Sequence, residues 1–462
     1  MKIPQMPPTL DEYVATLPES EQNSYLVEVF TSGLKPVDGK GRYLHWDKLQ
    51  YLPLPKGGQS PLEYWHKIKV ARGAARKEVI FKDKRGRPFS YVEFDKLSEL
   101  KDWILENAAG VLDAPEQIKN KSTKSTYLIS SIIEESINSS QMEGAGTTRR
   151  VAKDMLRSGR LPKDLSETMI FNNYNVMMFI RSLLDDSDVK LTPKIVFQLH
   201  RMVTENTLAG KDEGKGGVLR KSGEDDDVVV GDPVSGETLH IPPPANTLKK
   251  RIQLICDFVN GKTDEAGTYM PPVIRAIITH FMMGYDHPFV EGNGRTARAL
   301  FYWVMMKHNY WLMEYVSISS VIKTRQKEYI RAYVHTETDD SDLTYFILQQ
   351  LEVIKTAIKD FHKYVARQVQ RDKDVLAMFK SSRFRNELNS RQIALIRNAL
   401  ANPGNTYTIQ SHQNSHACSR EAARKDLLKL SDDYRLLQKY KDGKTLVFVA
   451  PPDLSERVKS RK

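Results

Sequence analysis

A mainly helical fold is predicted for this 462-residue chain. Three observations carry that expectation. Apolar residues recur three and four apart over several long stretches, as they do on helices with a buried face. Strand signals are confined to short runs within residues 228–241, 407–409 and 436–449. Gly and Pro clusters at 231–236, 242–244 and 403–404 mark where the chain turns.

Taken in order, residues 1–115 hold a basic cluster: Lys67, Lys69, Arg72, Arg76, Lys77, Lys82, Lys84, Arg85 and Arg87. It reads as a solvated face with a turn at Arg85-Gly86-Arg87-Pro88. Leu128, Ile129, Ile132, Ile133 and Ile137 then give a helix that runs into Ser139-Ser140-Gln141-Met142-Glu143-Gly144. Ser139 and Glu143, four apart, share a face, and Gly144 suits a cap. Thr192 is placed to cap a helix with Pro193 at its first position. Val228-Val229-Val230 and Thr238-Leu239-His240-Ile241 read as a hairpin closed by the loop 231–236, and Pro242-Pro243-Pro244 ends the extended stretch. Ile274, Ile277, Ile278, Phe281 and Met282 form one face of a helix over 272–284, which His287-Pro288 ends because proline disfavours helix in the residue before it. A second helix begins near Arg295, where Ala297, Leu300, Phe301 and Val304 resume the spacing. Phe346, Leu351, Ile354, Ile358, Phe361 and Val365 give a long amphipathic helix over 343–369. Further on, Ser390 is placed to cap a helix containing Ile393, Leu395, Ile396 and Leu400. Pro403-Gly404 turns the chain, Tyr407-Thr408-Ile409 is a short strand and 411–416 a short helix. Ser419 caps another helix, with Ala423, Leu427 and Leu430 inward and Arg424, Lys425 and Lys429 outward. Leu436-Leu437 and Leu446-Val447-Phe448-Val449, split by Lys441-Asp442-Gly443-Lys444, read as a β-wing.

The chain carries 69 basic and 58 acidic residues, so its net charge of +11 permits nucleic-acid contact without requiring it. No apolar run reaches the roughly 18 residues a membrane span needs. Residues 1–10 lack the apolar core of a secretory signal. Cys256 and Cys418 give no disulfide framework and suit a cytoplasmic setting. The glycines of 231–236 are followed by Glu237-Thr238, which rules out a Walker phosphate loop. His200, His240 and His280 stand at no metal-ligand spacing from another His or Cys and read as structural.

The chemistry concentrates in residues 287–298: His287-Pro288-Phe289-Val290-Glu291-Gly292-Asn293-Gly294-Arg295-Thr296-Ala297-Arg298. Glycines allow the close backbone approach that a nest of N–H groups needs. A helix N-terminus following that nest binds anions. Arg295 and Arg298, three apart, share its first turn and can fork onto phosphate oxygens. Glu291 can hold Mg²⁺ through a carboxylate while phosphates supply other ligands. His287 brings an imidazole, the side-chain type suited to accept a proton from an attacking hydroxyl.

This run resembles the signature of Fic-domain proteins, His-x-Phe-x-(Asp/Glu)-Gly-Asn-Gly-Arg-x-x-Arg, and every fixed position matches. The resemblance implies transfer of AMP from ATP to a Ser, Thr or Tyr hydroxyl of a protein, the protein itself included. It implies His287 as general base, Glu291 as the Mg²⁺ ligand, and Gly292, Asn293 and Gly294 as an anion hole. Arg295 and Arg298 would contact the β- and γ-phosphates, Phe289 would anchor the core, and Tyr329 would lie beside the adenine. Residues 139–144 resemble the family's inhibitory motif, (Ser/Thr)-x-x-x-Glu-(Gly/Asn), in its N-terminal class. Glu143 would then pair with Arg298, occupy the γ-phosphate position and autoinhibit the enzyme, with Ser139 in the same motif. The hairpin at 228–241 sits where relatives have a flap that aligns a target peptide. The C-terminal order of helix, strand, helix, helix and wing resembles a winged helix, a variant of the helix-turn-helix; Asp433-Tyr434 departs from the Gly often found before the wing. The expected domains are an N-terminal extension over 1–115, a Fic core with the inhibitory helix over 116–372, and a winged helix over 373–462. Two other functions stay open: a hydrolase removing AMP from proteins, with Glu143 orienting water, and a DNA-binding regulator whose core senses nucleotide. Homodimerisation stays open as well.

Overall fold

Helices dominate the computed structural model, which describes residues 2–53, 60–109, 121–186, 188–223, 228–232, 235–264, 269–380, 387–401, 404–443 and 445–459. Strands among these residues form two two-stranded sheets and one three-stranded sheet. The chain divides into two compact units that do not follow chain order. One comprises Met1–Ala109, Phe179–Trp311 and Val321–Lys355; the other comprises Gly110–Met178, Leu312–Ser320 and Thr356–Lys462. The expected domain boundary near 115 lies outside the described residues, and the one near 372 falls inside a continuous helix, Thr344–Lys380.

The first unit is organised around helix Pro272–Asp286. The sequence predicts one apolar face ending near 284, yet the helix runs to Asp286 and is buried on every side. Some of its polar residues are satisfied within the core, although His280 Nδ1 and Asp286 Oδ2 are buried without a hydrogen-bond partner. Arg275 donates to Phe258 O and, at 2.6 Å, to the Asp264 carboxylate, while Thr279 Oγ1 donates to Arg275 O. Helix Asn293–Lys307 packs along it, flanked by Leu248–Val259 and Pro193–Val203. Thr192 caps the last of these, with Pro193 in its first turn. The hairpin predicted at 228–241 is shorter than expected, Val230–Gly231 against Thr238–His240. Pro233 and Val234 of its loop lie outside the described residues.

Residues 2–109 pack into this same unit. Strands Arg76–Lys82 and Pro88–Val92 form an antiparallel pair, with Gly86 left-handed in the turn at 85–88. The solvated-face reading of the basic cluster needs correction, because Lys67 and Arg72 are buried. Arg72 donates to Pro36 O, Leu44 O and Tyr345 Oη, and its guanidinium lies 3.7 Å from the Tyr43 ring centre. Lys69 bridges Asp339 at 2.6 Å and Asp340 at 2.9 Å. The acidic partners sit about 270 residues downstream, so no local pattern revealed them.

In the second unit, helices Lys121–Met142, Arg149–Ser158 and the first part of Leu165–Leu183 share a core of Ile133, Ile137, Ala152, Met155, Met169 and Ile170. Glu135 on the first helix accepts from Ser317 Oγ at 2.7 Å and from Ser319 N at 3.1 Å. A separate core joins helix Ser390–Ala401, helix Arg420–Leu428 and a three-stranded sheet through Leu395, Ile396, Leu427, Leu430 and Phe448. In that sheet Thr445–Val449 lies between Thr406–Thr408 and Gln438–Asp442. Leu436 and Leu437, expected in the wing, are buried core residues; the outer strand is the exposed Gln438–Asp442. Asn389, not Ser390, caps the helix at 390, exchanging hydrogen bonds with Gln392. Ser419 caps as expected. Helix Ile409–His416 packs against Lys121–Met142 and Arg149–Ser158, and Asn414 Nδ2 donates to Arg157 O at 2.7 Å. Pro403 and Lys444 lie outside the described residues.

Candidate active site

The motif occupies the junction of two helices of 15 residues each. Helix Pro272–Asp286 ends on His287, whose backbone is left-handed at φ 41°, ψ 58°. That conformation is unfavourable for a residue with a Cβ and persists only where surrounding bonds fix it. Helix Asn293–Lys307 then starts behind Gly292, left-handed at φ 81°. A Cβ on Gly292 would lie 2.8 Å from Thr204 Cγ2 and 3.4 Å from His200 Nε2. Both the backbone angle and the close approach therefore call for glycine there.

The turn is locked from inside. Asn293 Oδ1 accepts from Phe289 N at 3.0 Å, and its Nδ2 donates to Phe289 O at 2.8 Å. Thr296 Oγ1 donates to Gly292 O. Phe289 is fully buried and stacks on the His200 ring at 3.6 Å between centres. Gly217 N–H donates to His200 Nδ1 at 2.8 Å, so the ring proton sits on Nε2, which donates to Glu291 O at 2.7 Å. Burial, with the charge of Arg295, pushes His200 down to about 4, so it stays neutral and serves both partners. The structural reading of His200 is thereby given a definite task.

The sequence-predicted residues take distinct places. His287 and Gly294 are half-buried, and Glu291 is exposed. Arg295 is buried: Nη1 donates to Val203 O at 2.9 Å and Nη2 stands 3.5 Å from Glu291 Oε1. Arg298 is buried on the same helix turn. Its charge lies near His280, which burial and that charge push down to about 3. Tyr329 is half-buried, with its hydroxyl 3.0 Å from His280 Nε2. Asn293 spends its side chain on the turn, so what it offers an anion is its backbone N–H. Ser139 and Glu143 lie in the second unit, where helix Lys121–Met142 ends just before Glu143. Ser139 is buried and Glu143 exposed, and Gly144 is left-handed at φ 94°.

Arg220 and Arg251 carry no sequence signal, and His240 reads only as structural. Arg220 bonds the backbone around His287. His240 bridges Tyr285 O and the Glu337 carboxylate at 2.7 Å each. Arg251 reaches the buried Asp286 carboxylate at 2.6 Å, and burial still pushes Asp286 up to about 6. A cavity of about 510 Å³ is lined by Trp303, Lys307 and His308 at the opposite, C-terminal end of the second motif helix and is not part of this junction.

Comparison with known proteins places the junction. Residues 190–305 match the model of the Fic/DOC family. A protein adenylyltransferase Fic of Drosophila willistoni is 31% identical over 122 residues, covering 26% of this chain and 21% of that protein. One of Nematostella vectensis is 25% identical over 213 residues, covering 46% of this chain and 44% of that protein. The chain thus spans less than half the length of these curated relatives. Among solved structures, a Fic family protein from Desulfovibrio desulfuricans G20 aligns over 78% of this chain and 98% of its own, at 18% identity and a TM-score of 0.46. Fic-1 of C. elegans aligns over 60% of this chain and 72% of its own, at 19% identity and a TM-score of 0.43. Residues 190–305, holding the whole run from His287 to Arg298, are a Fic domain of the Fic/DOC family.

Proposed function

We propose that the protein is an adenylyltransferase that moves AMP from ATP to a Ser, Thr or Tyr hydroxyl of a protein. The observation that carries this reading is the junction itself. A half-buried imidazole, an exposed carboxylate and the N-terminus of a 15-residue helix with two buried arginines meet within twelve residues. Free N–H groups at 292–294 and the helix dipole favour the phosphates. Arg298 bears on the γ-phosphate side, and Arg295, tied to Val203 and Glu291, contributes charge from behind the turn. Glu291 is the residue to hold Mg²⁺, which when bound neutralises phosphate charge. His287 takes the proton of the attacking hydroxyl as its oxygen bonds to the α-phosphorus, and the α–β bridging bond breaks to release pyrophosphate. Tyr329, fixed by His280, lies on the adenine side. Glu143, with Ser139, holds the enzyme in an inhibited state.

A second reading, in which the C-terminal segment is a winged helix contacting DNA, is favoured by one observation. Arg420, Arg424 and Lys425 on helix Arg420–Leu428 are exposed, as are Lys439, Tyr440 and Lys441 on the outer strand.

The transfer reading is tested with ATP labelled on either the α- or the γ-phosphorus. Label retained on protein only from α-labelled ATP is expected. Retention from γ-labelled ATP would mean phosphorylation. Loss of a preloaded adenylyl group without new labelling would favour the hydrolase.

A further inference from the structure

Helix Pro272–Asp286 delivers three successive carbonyls, those of Asp286, His287 and Pro288, into the interior just where the proposed base must be held. The last carbonyls of a helix have no partner within it and carry the negative end of its dipole. One buried residue meets all three. Arg220 Nε donates to His287 O at 2.9 Å, Nη2 reaches Asp286 O at 3.4 Å, and Arg220 N–H donates to Pro288 O at 3.0 Å. Nη2 also donates to Pro243 O, three residues beyond the strand Thr238–His240. Arg220 is 4% exposed, so these bonds form in a setting where each is strong and its loss is costly.

We propose that Arg220 is a positioning residue: it fixes the left-handed peptide of His287 and ties it to the end of the flap hairpin, so that the base and the segment presenting the target hydroxyl move as one. The inference rests on the adenylyl-transfer reading for its kinetic consequence only. The fork geometry is what the task requires. A guanidinium presents Nε and Nη2 in one plane to adjacent carbonyls, whereas a lysine ammonium is a single point that keeps the charge and loses the fork. His240 supports the same joint from the strand itself, holding Tyr285 O and Glu337 from its two ring nitrogens. None of the bonds described here is to the phosphate-binding turn at 292–294. Its loss should therefore be felt in the proton-transfer step and in the placing of the acceptor, and little in nucleotide binding.

The test compares wild type with Arg220→Lys in the full chain. Labelling from Mg-ATP should lose at least about tenfold in kcat, since small misplacements of a base cost that much or more, while KM for ATP changes little; the melting temperature falls with the lost bonds, but the chain stays folded at the assay temperature. Hydrogen exchange read by mass spectrometry should rise selectively in peptides covering 285–291, where the His287 amide is bonded to Met283 O and the Phe289 amide to Asn293. The exchange readout needs no activity. If neither wild type nor Glu143→Gly labels, the transfer reading fails, and exchange alone decides on Arg220. Wild-type kcat in the lysine variant overturns the proposal. So does exchange at 285–291 that stays unchanged or rises only with the whole protein.

Discussion

At Gly292 two constraints coincide, a backbone φ of 81° and Thr204 Cγ2 standing 2.8 Å from where a Cβ would be. Gly292→Ala should cost about 1–3 kcal/mol through the strained backbone alone. It should also push the turn away from Thr204 and so weaken nucleotide binding. Urea denaturation with ATP titration checks both effects, and a variant of wild-type stability and affinity would show that the turn is softer than its geometry implies. At this scale the sequence was legible where chemistry is local. The order and spacing of 287–298 put these twelve residues at one helix junction, as the fold does. It was not legible where one residue does two things. Asn293 reads as an anion-hole residue, yet its amide is committed to Phe289. Arg220 and Arg251 read as nothing at all, because their partners are backbone or carboxylate groups brought in by folding.

At the scale of elements, helix Lys121–Met142 and the residues after it carry the regulatory prediction. If Glu143 withholds Arg298 from the γ-phosphate, Glu143→Gly should raise self-modification. A bias of about 3 kcal/mol would hold the competent state near 1% and leave room for a roughly hundredfold gain. Adding Arg298→Ala should abolish that gain. A Glu143→Gly protein no more active than wild type, at several ATP concentrations, would reduce 139–144 to a helix end. The C-terminal elements make a separate prediction. If the exposed face of Arg420–Leu428 meets DNA, binding should weaken steeply with salt as counterions are released, and reversing Arg424 and Lys425 should remove it. No shift of any duplex at low salt would make the segment a protein-contact module. Element boundaries were the least legible feature. Helix Thr344–Lys380 outruns its apolar signal, because polar residues continue a helix as readily as apolar ones once its first half is packed. Leu436 and Leu437 read as strand residues because alternation cannot be judged from two positions; in the structure they fill the core instead.

For the molecule as a whole, buried histidines set the response to acid. Burial pushes His200 to about 4 and His280 and His416 to about 3. In the unfolded chain each titrates near 6.5. The unfolded state therefore binds more protons below about 6.5, and stability is lost as pH falls toward these lower values. Asp286, pushed up to about 6, and Asp342, also raised, run the other way and lose stability as pH rises. With His66, His308 and His335 also lowered, six histidines against two raised carboxylates leave a net loss of stability as pH falls from about 6.5 to 4.5. Chemical denaturation across that range would show it, and a flat profile would contradict the neutral state of these rings. The mainly helical class was legible from periodicity alone. The division into units was not, since the N-terminal segment joins the first motif helix through contacts distant in sequence, such as Phe89 with Phe281 and Lys84 N–H to Tyr285 Oη.

The central claim, that His287 drives transfer of an adenylyl group, is tested most directly by intact-mass measurement after incubation with Mg-ATP. Wild type and Glu143→Gly should gain whole adenylyl groups, the variant more of them. His287→Ala should still bind ATP but gain at least about 100-fold less. Equal gain in the His287→Ala protein, or no adenylyl mass in Glu143→Gly, would contradict the account.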